Sequence, residues 1–267
     1  MNDRRPSPSG LIAAERRRRI YGQALQDGSV KAISLADELG VGINTIRNDL
    51  DALHRDGKLL RVHGGAVLIE GATPRPPYSQ TRGENLREKS WIASAALAYL
   101  PASGSIFIGD GSTTYQFASI LPADSHIHVI TNALEVAGYI ASNNVATVDF
   151  AGGTIRGDSL ASDWTLSEEA LKSLYWDVTF IGAAAIDIAR GITTLDRSAA
   201  RWERRIMEHG ETVVVLCDSS KLSRFAYAQV GSVDLIDVLI TDEGVSPAFV
   251  KELKAQGVEV VVAGAGG

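Results

Sequence analysis

Four polar residues in one short segment have side chains that can read DNA bases: Asn44, Thr45, Arg47 and Asn48. An arginine guanidinium can donate two hydrogen bonds to O6 and N7 of guanine, and an asparagine amide can bond N6 and N7 of adenine. The apolar residues around them recur at spacings of three, four and three: Ile43, Ile46, Leu50 and Leu53. This period predicts an amphipathic helix, with one face packed and a polar face that enters the major groove.

A second set of polar residues lies in loops near strand-like runs further along the chain. Glycine lets backbone amides approach an anion, a following helix N-terminus adds partial positive charge, and lysine supplies a full charge. The expected ligand is a phosphorylated sugar or a related small molecule. A single loop of this kind is usually only a turn with a helix cap, but here four such loops follow four strands. The candidate ligand-binding residues are Asp110, Gly111, Ser112, Thr113, Thr131, Asn132, Gly152, Gly153, Asp187 and Lys221.

Two further helices are predicted ahead of the base-reading helix. The first spans 15–26, and its arginine run over 16–19 is either a solvated face or a phosphate-contacting surface. The second begins at Ser34, because Ser34 and Asp37 form a start signal, and it ends at Gly40. The third spans 42–54. Short helices joined by a glycine-containing turn predict a helix-turn-helix, although a helical subdomain with polar residues facing water has the same pattern.

Two short strand-like runs follow the third helix and flank His63, Gly64 and Gly65. Paired glycines between such runs predict a tight hairpin, which would make the module a winged helix. Arg61 and His63 on this wing are expected to lie along phosphates. The candidate DNA-binding residues are Arg19, Ser34, Asn44, Thr45, Arg47, Asn48, Arg61 and His63.

The segment from Thr45 to Leu50, with the later His63-Gly64-Gly65-Ala66 turn, resembles the DeoR family of bacterial transcriptional regulators. The resemblance covers about residues 14–265 and implies a DNA-binding regulator, expected to be a repressor of a sugar operon. Two positions depart from the family pattern. Gly42 replaces the usual serine cap, and Asn48 stands where a second arginine is common, which changes the expected operator sequence rather than DNA binding itself.

After residue 87 the pattern alternates between helix-like and strand-like segments, which predicts βαβ units and a mostly parallel sheet. The fold class is therefore α/β, with an N-terminal winged helix-turn-helix domain and a larger C-terminal domain. The family resemblance implies a sugar-phosphate-isomerase-like effector domain. Predicted strands cover 105–108, 126–130, 146–151, 178–183, 212–216, 238–240 and 259–263, and predicted helices cover 89–100, 113–120, 134–141, 167–174, 199–208 and 249–256.

The alternative function is a sugar-phosphate isomerase with an appended helical domain. Isomerases of the related fold carry an acidic segment where this chain has Gly182-Ala183-Ala184-Ala185, and a proton shuttle needs a positioned base. We therefore expect binding without catalysis and no cofactor. Glu203 lies where the family usually has a lysine, so either its carboxylate points away from the ligand or the ligand contacts differ. The scattered histidines indicate no metal site.

Charge and composition fit this division of the chain. Residues 1–70 have a net charge of +2 and the remainder −8, within a total of −6. The single cysteine, Cys217, excludes an intrachain disulfide and fits a reducing, cytoplasmic location. No signal peptide or membrane span is expected.

The predicted divisions are a disordered tail over 1–12, the winged helix over 13–70, a linker over 71–87 and the effector-binding domain over 88–267. Two half-sites on an operator imply a homodimer or homotetramer.

Overall fold

The structure, a computed structural model, describes residues 12–27, 29–55, 58–62, 64–67, 78–123, 126–157, 159–162, 169 and 172–265. The chain divides into two compact units, Met1–Pro74 and Arg75–Gly267. The predicted tail, apart from Ile12, and the linker as far as residue 77 lie outside the described residues, as does half of the predicted helix over 167–174. Within the described part of the chain, no helix combines the length and apolar content needed to cross a bilayer.

The described residues of the N-terminal unit form three helices and a three-stranded antiparallel sheet in the order β1-β3-β2. Its elements are α1 (Ala13–Asp27), β1 (Ser29–Lys31), α2 (Ala32–Leu39), α3 (Ile43–Arg55), β2 (Leu60–Val62) and β3 (Gly65–Val67). The β2–β3 hairpin is the predicted wing, and Gly64 in its turn has a φ of 82°. The strand β1 was missed by sequence reasoning, because three residues are too few to show an alternating pattern.

The start of α2 differs from the sequence prediction. The helix begins at Ala32, and Ser34 is an exposed residue of its first turn rather than its cap. The wing explains the difference, because the N–H of Ala32 donates to the carbonyl of Gly64 at 2.9 Å. The carbonyl of Gly64, from a distant segment, thus accepts from one of the first-turn N–H groups that have no partner within the helix. The helix ends as predicted at Gly40, which has a φ of 63°.

The apolar row predicted on α3 packs into the core of this unit. Ile46, Leu50 and Leu53 are buried against Ile20 of α1 and Leu35 of α2. The burial of one face of α3 fixes which residues remain on its opposite face. That opposite face is where the predicted base-reading residues lie.

A buried ion cluster joins α1 to α3. Asp49 is 1% exposed, and its carboxylate accepts from Nε of Arg16 and, at 2.9 Å, from Nε of Arg17. Buried Arg16 is therefore not part of a solvated face and stabilises the packing of α1 on α3, while Arg17 joins the same cluster with a side chain that is 40% exposed. Arg18 and Arg19 lie at the surface, each 3.7 Å from the carboxylate of Glu15.

Gly65 permits the close approach of two strands in the wing sheet. A Cβ atom at this position would lie 2.1 Å from the carbonyl oxygen of Val30 in β1. A side chain cannot occupy that space without displacing the backbone, so glycine is required where β3 pairs with β1. The double glycine of the turn therefore serves both the hairpin and the sheet.

The C-terminal unit is built on a seven-stranded sheet in the order β15-β14-β12-β9-β4-β5-β6, and all neighbouring strands are parallel. Its strands are β4 (Ser103–Ile108), β5 (His126–Thr131), β6 (Thr147–Phe150), β9 (Trp176–Ile181), β12 (Gly210–Leu216), β14 (Val238–Asp242) and β15 (Glu259–Ala263). The predicted parallel α/β architecture is confirmed, and each predicted strand has a counterpart within a few residues.

Helices cover both faces of this sheet. One core cluster contains residues of α5, α6 and α7, and another contains residues of α8 and α9. The helices of the unit are α4 (Tyr78–Gly83), α5 (Leu86–Ala96), α6 (Ser112–Ser119), α7 (Leu134–Ser142), α8 (Arg197–Glu208) and α9 (Pro247–Ala255). Cys217 is 2% exposed next to β12, and burial raises the pKa of its thiol, as suits an inert core residue.

Two smaller sheets complete the unit. The hairpin of β7 (Ile155–Arg156) and β8 (Ala161–Ser162) follows β6. An antiparallel sheet in the order β10-β11-β13 contains β10 (Ala185–Asp187), β11 (Gly191–Thr194) and β13 (Ala228–Gly231). Sequence reasoning predicted neither sheet, because their strands have only two to four residues.

The ion cluster of Asp49 generates a stability prediction. Asp49→Ala is expected to lower the free energy of unfolding of the N-terminal unit by about 3 kcal/mol, because Arg16 would stay buried without this carboxylate. Urea unfolding followed by circular dichroism measures the change. All four tryptophans lie beyond residue 90, so tryptophan fluorescence reports the C-terminal unit separately.

Glu15→Ala is the matched control for this prediction. Glu15 faces Arg18 and Arg19 at the surface of α1, where ion pairs contribute little, so its replacement is expected to change stability by less than about 0.5 kcal/mol. Equal losses in the two variants would show that burial of the Asp49 cluster has no special role.

Candidate nucleic-acid interface and ligand site

The polar face of α3 presents a row of exposed side chains. Asn44, Arg47 and Asn48 are exposed and Thr45 is half-buried. Nη1 of Arg47 donates to Oδ1 of Asn44 at 3.3 Å, so the two side chains lie side by side. All four belong to the first two turns of α3, the part of a recognition helix that reaches base edges. The structure thus brings these four predicted residues together, away from the core.

Gly42 acts as the cap of α3. Its carbonyl accepts from the N–H groups of Thr45 at 2.9 Å and Ile46 at 3.2 Å. A glycine cap provides no side-chain acceptor for the free N–H groups of the first turn, which therefore remain available to other acceptors. A DNA phosphate is one acceptor that a helix N-terminus favours.

The wing arginine is held against α3. Nε of Arg61 donates to Oδ1 of Asp51 at 2.7 Å, and its Nη1 donates to the carbonyl of Gly65 at 2.6 Å. These bonds fix the wing relative to the third helix. The phosphate contact predicted for Arg61 stays a prediction, and His63 lies outside the described residues.

The other two candidate DNA-binding residues, Arg19 on α1 and Ser34 on α2, are both exposed.

In the C-terminal unit, the strand order identifies the edge at which a ligand is expected. After β4 the chain adds β5 and β6 on one side, and then β9, β12, β14 and β15 on the other. In open parallel sheets, ligands bind outside the carboxyl ends of the strands, where the strand order reverses. That point lies between β4 and β9. Asp110, Gly111 and Ser112 follow β4 directly, and α6 begins at Ser112.

The loop after β4 is shaped by its glycine and its threonines. Gly111 has a φ of 140°, and its carbonyl accepts from Oγ1 of Thr114 at 2.9 Å. Thr113 is buried, and Ser112 is half-buried at the start of α6. The N–H groups of this first helical turn face the carboxyl edge of the sheet, which suits an anion.

The predicted residues after β5 have different roles. Oγ1 of Thr131 donates to the carbonyl of Ile108 at 2.6 Å and accepts from the N–H of Ala133 at 3.0 Å, so this hydroxyl ties β5 to β4. The amide nitrogen of Asn132 lies 3.5 Å from Oδ1 of Asp110. Gly152 and Gly153 follow β6 on the same edge and are half-buried.

The loop after β12 contains Lys221 at the end of a 3₁₀ turn over Ser219–Lys221. Asp242, at the end of β14, accepts from the N–H of Ser219 at 2.6 Å and from its hydroxyl at 2.8 Å. Asp218 accepts from the N–H of Ser220 at 3.0 Å. Asp218 and Asp242 are nearly fully buried, so these carboxylates hold the loop in place. Lys221 itself is half-buried.

Lys89 is a residue of this edge that sequence reasoning missed. It belongs to α5, is 3% exposed, and donates through Nζ to the carbonyls of Thr81 and Glu84. Burial lowers the pKa of Lys89, the nearby Asp218 opposes this, and the charge of Lys221 adds to the lowering. A lysine in an amphipathic helix pattern normally indicates a solvated face, so only the fold reveals that it is close to Lys221.

Two predicted acidic positions lie in the region of the small β10-β11-β13 sheet. Oδ1 of Asp187 accepts from the N–H groups of Ala189 at 3.1 Å and Arg190 at 2.9 Å, so this carboxylate stabilises the turn between β10 and β11. Glu203 of α8 accepts from the hydroxyl of Thr194 at 3.3 Å. Its carboxylate is therefore directed at β11. The ligand contact proposed for Asp187 stays a prediction.

Two family models match the chain, one for each unit. The DeoR-like helix-turn-helix domain matches residues 16–72, and the DeoR C-terminal sensor domain matches residues 84–243. The second match covers more than half of the chain.

Similar proteins include named regulators of comparable length. The transcriptional regulator GlpR of Haloferax volcanii is 32% identical over 252 residues, covering 94% of this chain and 98% of the relative. The glycerol-3-phosphate regulon repressor of Escherichia coli K12 is 28% identical over 217 residues, covering 81% and 86%. Among solved structures, ribose 5-phosphate isomerase A of Methanocaldococcus jannaschii aligns with a TM-score of 0.38 at 18% identity, covering 50% of this chain and 53% of that one.

These matches confirm the predicted family and the interpretation as a regulator rather than an isomerase. The winged helix reads DNA through a helix-turn-helix that the family model recognises, and the parallel α/β unit is its sensor. The chain belongs to the DeoR family of DNA-binding transcriptional regulators.

Proposed function

We propose that this regulator represses a carbohydrate operon. A phosphorylated sugar, bound at the carboxyl edge of the sensor sheet, changes the affinity of the protein for the operator. The single observation that carries the proposal is that the N-terminus of α6, after β4, and Lys221, after β12, share the carboxyl edge of one parallel sheet. Both a helix N-terminus and a lysine charge favour an anion nearby. The names of relatives support the same class, since one is a glycerol-3-phosphate regulon repressor.

The start of α6 adds to this anion site. Gly111 leaves room for a ligand close to the backbone, and the N–H groups at Ser112 and Thr113 supply hydrogen-bond donors. Lys89 and Lys221 supply positive charge, and Asp218 balances it when no ligand is bound. A phosphate ester is the common metabolite group that combines high negative charge with several acceptor oxygens.

The coupling to DNA must arise from a difference in ligand affinity between the two states of the protein. We infer that the operator has two half-sites. A homodimer or homotetramer in the cytoplasm then binds both of them.

The regulator proposal is tested by a mobility-shift titration on the promoter next to its own gene. A specific shift that weakens when one phosphorylated sugar is added supports repression released by that sugar. The absence of an operator-specific shift at every salt concentration contradicts the proposal. A specific shift that no phosphorylated sugar alters, together with an unchanged melting temperature, indicates a DNA-binding protein without this effector.

Arg47→Ala is expected to reduce operator affinity by about 1–3 kcal/mol and to relax sequence preference, because Arg47 is the exposed guanidinium of the recognition helix. Affinities for the operator and for unrelated DNA, measured at the same salt, separate the two effects. Arg55→Ala, at the end of the same helix, is the charge-matched control and is expected to preserve the ratio of the two affinities. A loss in Arg47→Ala that is equal for all DNA sequences would instead make Arg47 a phosphate contact.

Lys221→Ala is expected to abolish the response to the effector while operator binding in its absence is retained. Lys89→Met is expected to act in the same way, because it removes the second positive charge at the edge. Thermal shifts with inorganic phosphate and with phosphorylated sugars measure the loss. Lys251→Ala, an exposed lysine of α9, is the control that should leave the shifts unchanged. If Lys221→Ala fails to fold, Lys221 is structural and the role given to it here is wrong.

A further inference from the structure

Arg156 was not among the predicted site residues, and it belongs to a polar cluster at the carboxyl ends of β4 and β5. Nη2 of Arg156 lies 4.0 Å from Oδ2 of Asp110, and the amide nitrogen of Asn132 lies 3.5 Å from the other carboxylate oxygen. The same amide nitrogen lies 3.4 Å from the carbonyl of Ser162. These long distances leave the carboxylate of Asp110 able to accept further, shorter hydrogen bonds.

Unmet hydrogen-bonding capacity is concentrated in this cluster. Among the described residues, five buried side-chain atoms have no hydrogen-bond partner, and three of them are Oδ1 of Asn132, Nε of Arg156 and Oγ of Ser159. The orientation of the Asn132 amide follows from its neighbours, since its nitrogen faces two acceptors and its oxygen is left over. Buried polar groups are rarely left unpaired in folded proteins, so we expect polar groups of a ligand to bind these atoms.

The β7–β8 hairpin carries the cluster and is fastened to the loop after β5. The N–H of Ser162 donates to the carbonyl of Asn132 at 2.8 Å, and the N–H of Leu134 donates to the carbonyl of Leu160 at 2.9 Å. Leu160 has a φ of 53°, a conformation that a bulky residue adopts at some energetic cost. The hairpin therefore holds Arg156 and Ser159 at this place against local strain.

The chemistry of the cluster differs from that of the two lysines. The oxygens of Asn132 and Asp110 accept hydrogen bonds, and Nε of Arg156 donates one. A phosphate ester offers mainly acceptors near neutral pH, so it cannot satisfy the first two groups. A sugar hydroxyl both donates and accepts, so neighbouring hydroxyls satisfy all of them.

We propose that Asp110, Asn132 and Arg156 form a subsite that binds hydroxyl groups of the effector, next to the anion site formed by the start of α6, Lys89 and Lys221. The proposal rests on the proposed function and assigns the sugar end of the ligand. The three unpartnered atoms are enclosed in this structure, so the hydroxyls reach them once the backbone bonds of Leu160 and Ser162 to the loop after β5 open. Recognition of the sugar thereby acts on the attachment of the β7–β8 hairpin.

The distance across the edge from Asp110 to Lys221, at the far side of the anion site, fits one phosphorylated sugar. Asp110 follows β4 and Lys221 follows β12, with β9 between these strands. Adjacent strands lie about 4.8 Å apart, so the two strand ends are separated by roughly 10 Å. A pentose or hexose phosphate carries its phosphate and its far hydroxyls at opposite ends, on the order of this distance.

The test compares binding of inorganic phosphate, glycerol 3-phosphate, ribose 5-phosphate and fructose 6-phosphate to the full-length protein by calorimetry. Arg156→Met keeps the length and packing of the side chain but removes its donors, and Asp110→Asn keeps the shape of the carboxylate. Each variant is expected to weaken the best-binding sugar phosphate by about tenfold or more, since each removes a charged hydrogen-bond partner. Binding of inorganic phosphate is expected to change less than about twofold in both.

Arg197→Met is the charge-matched control, because Arg197 lines a separate groove of about 530 Å³ beside α8 and β13. It should leave the affinities for all four probes unchanged. Equal weakening of inorganic phosphate and sugar phosphate by Arg156→Met would overturn the hydroxyl subsite and make Arg156 part of the anion site. Unchanged sugar-phosphate binding in both variants would overturn it as well. If none of the probes binds the wild-type protein, the phosphorylated-sugar effector itself is refuted, which is a different result from either of these.

Discussion

The parallel pairing of the seven-stranded sheet is the constraint on which the sensor unit depends. Parallel strands bring all their carboxyl ends to one edge, and the strand order reverses between β4 and β9, the position at which ligands bind in open parallel sheets. Loops that are far apart in sequence, such as those containing Asp110 and Lys221, therefore share one edge. The helices on the two faces bury the sheet, and the loops at this edge bear the candidate ligand-binding side chains.

A comparable constraint governs the winged helix. The buried carboxylate of Asp49 holds Arg16 and Arg17 of α1, and the apolar row of α3 packs into the core below it. Together they set the rotation of α3 about its own axis, which decides which side chains are exposed. Asn44 and Arg47 then face outward because the inward positions are already occupied. The wing is fixed in a similar way, through Arg61 and Asp51.

The two proposed subsites of the sensor illustrate how a single sheet edge can separate two kinds of recognition. Positive charge is placed by Lys89 and Lys221, and groups that can accept hydrogen bonds from hydroxyls are placed by Asp110 and Asn132. A ligand that has only one of the two chemical groups satisfies only half of the site. Specificity for a phosphorylated sugar over either free phosphate or free sugar follows from that division.

The sequence by itself determined the features that depend on local periodicity: the apolar row of α3, the glycine turn of the wing, and the alternation that predicts a parallel sheet. Family-specific residues in these segments also identified the regulator. Only the tertiary structure decided contacts between distant segments. The N–H of Ala32 donates to the carbonyl of Gly64, Arg17 pairs with Asp49, Lys89 lies near Asp218, and Arg156 lies near Asp110. None of these leaves a periodic signal, because a hydrogen bond or ion pair between remote residues depends on how elements pack rather than on spacing along the chain.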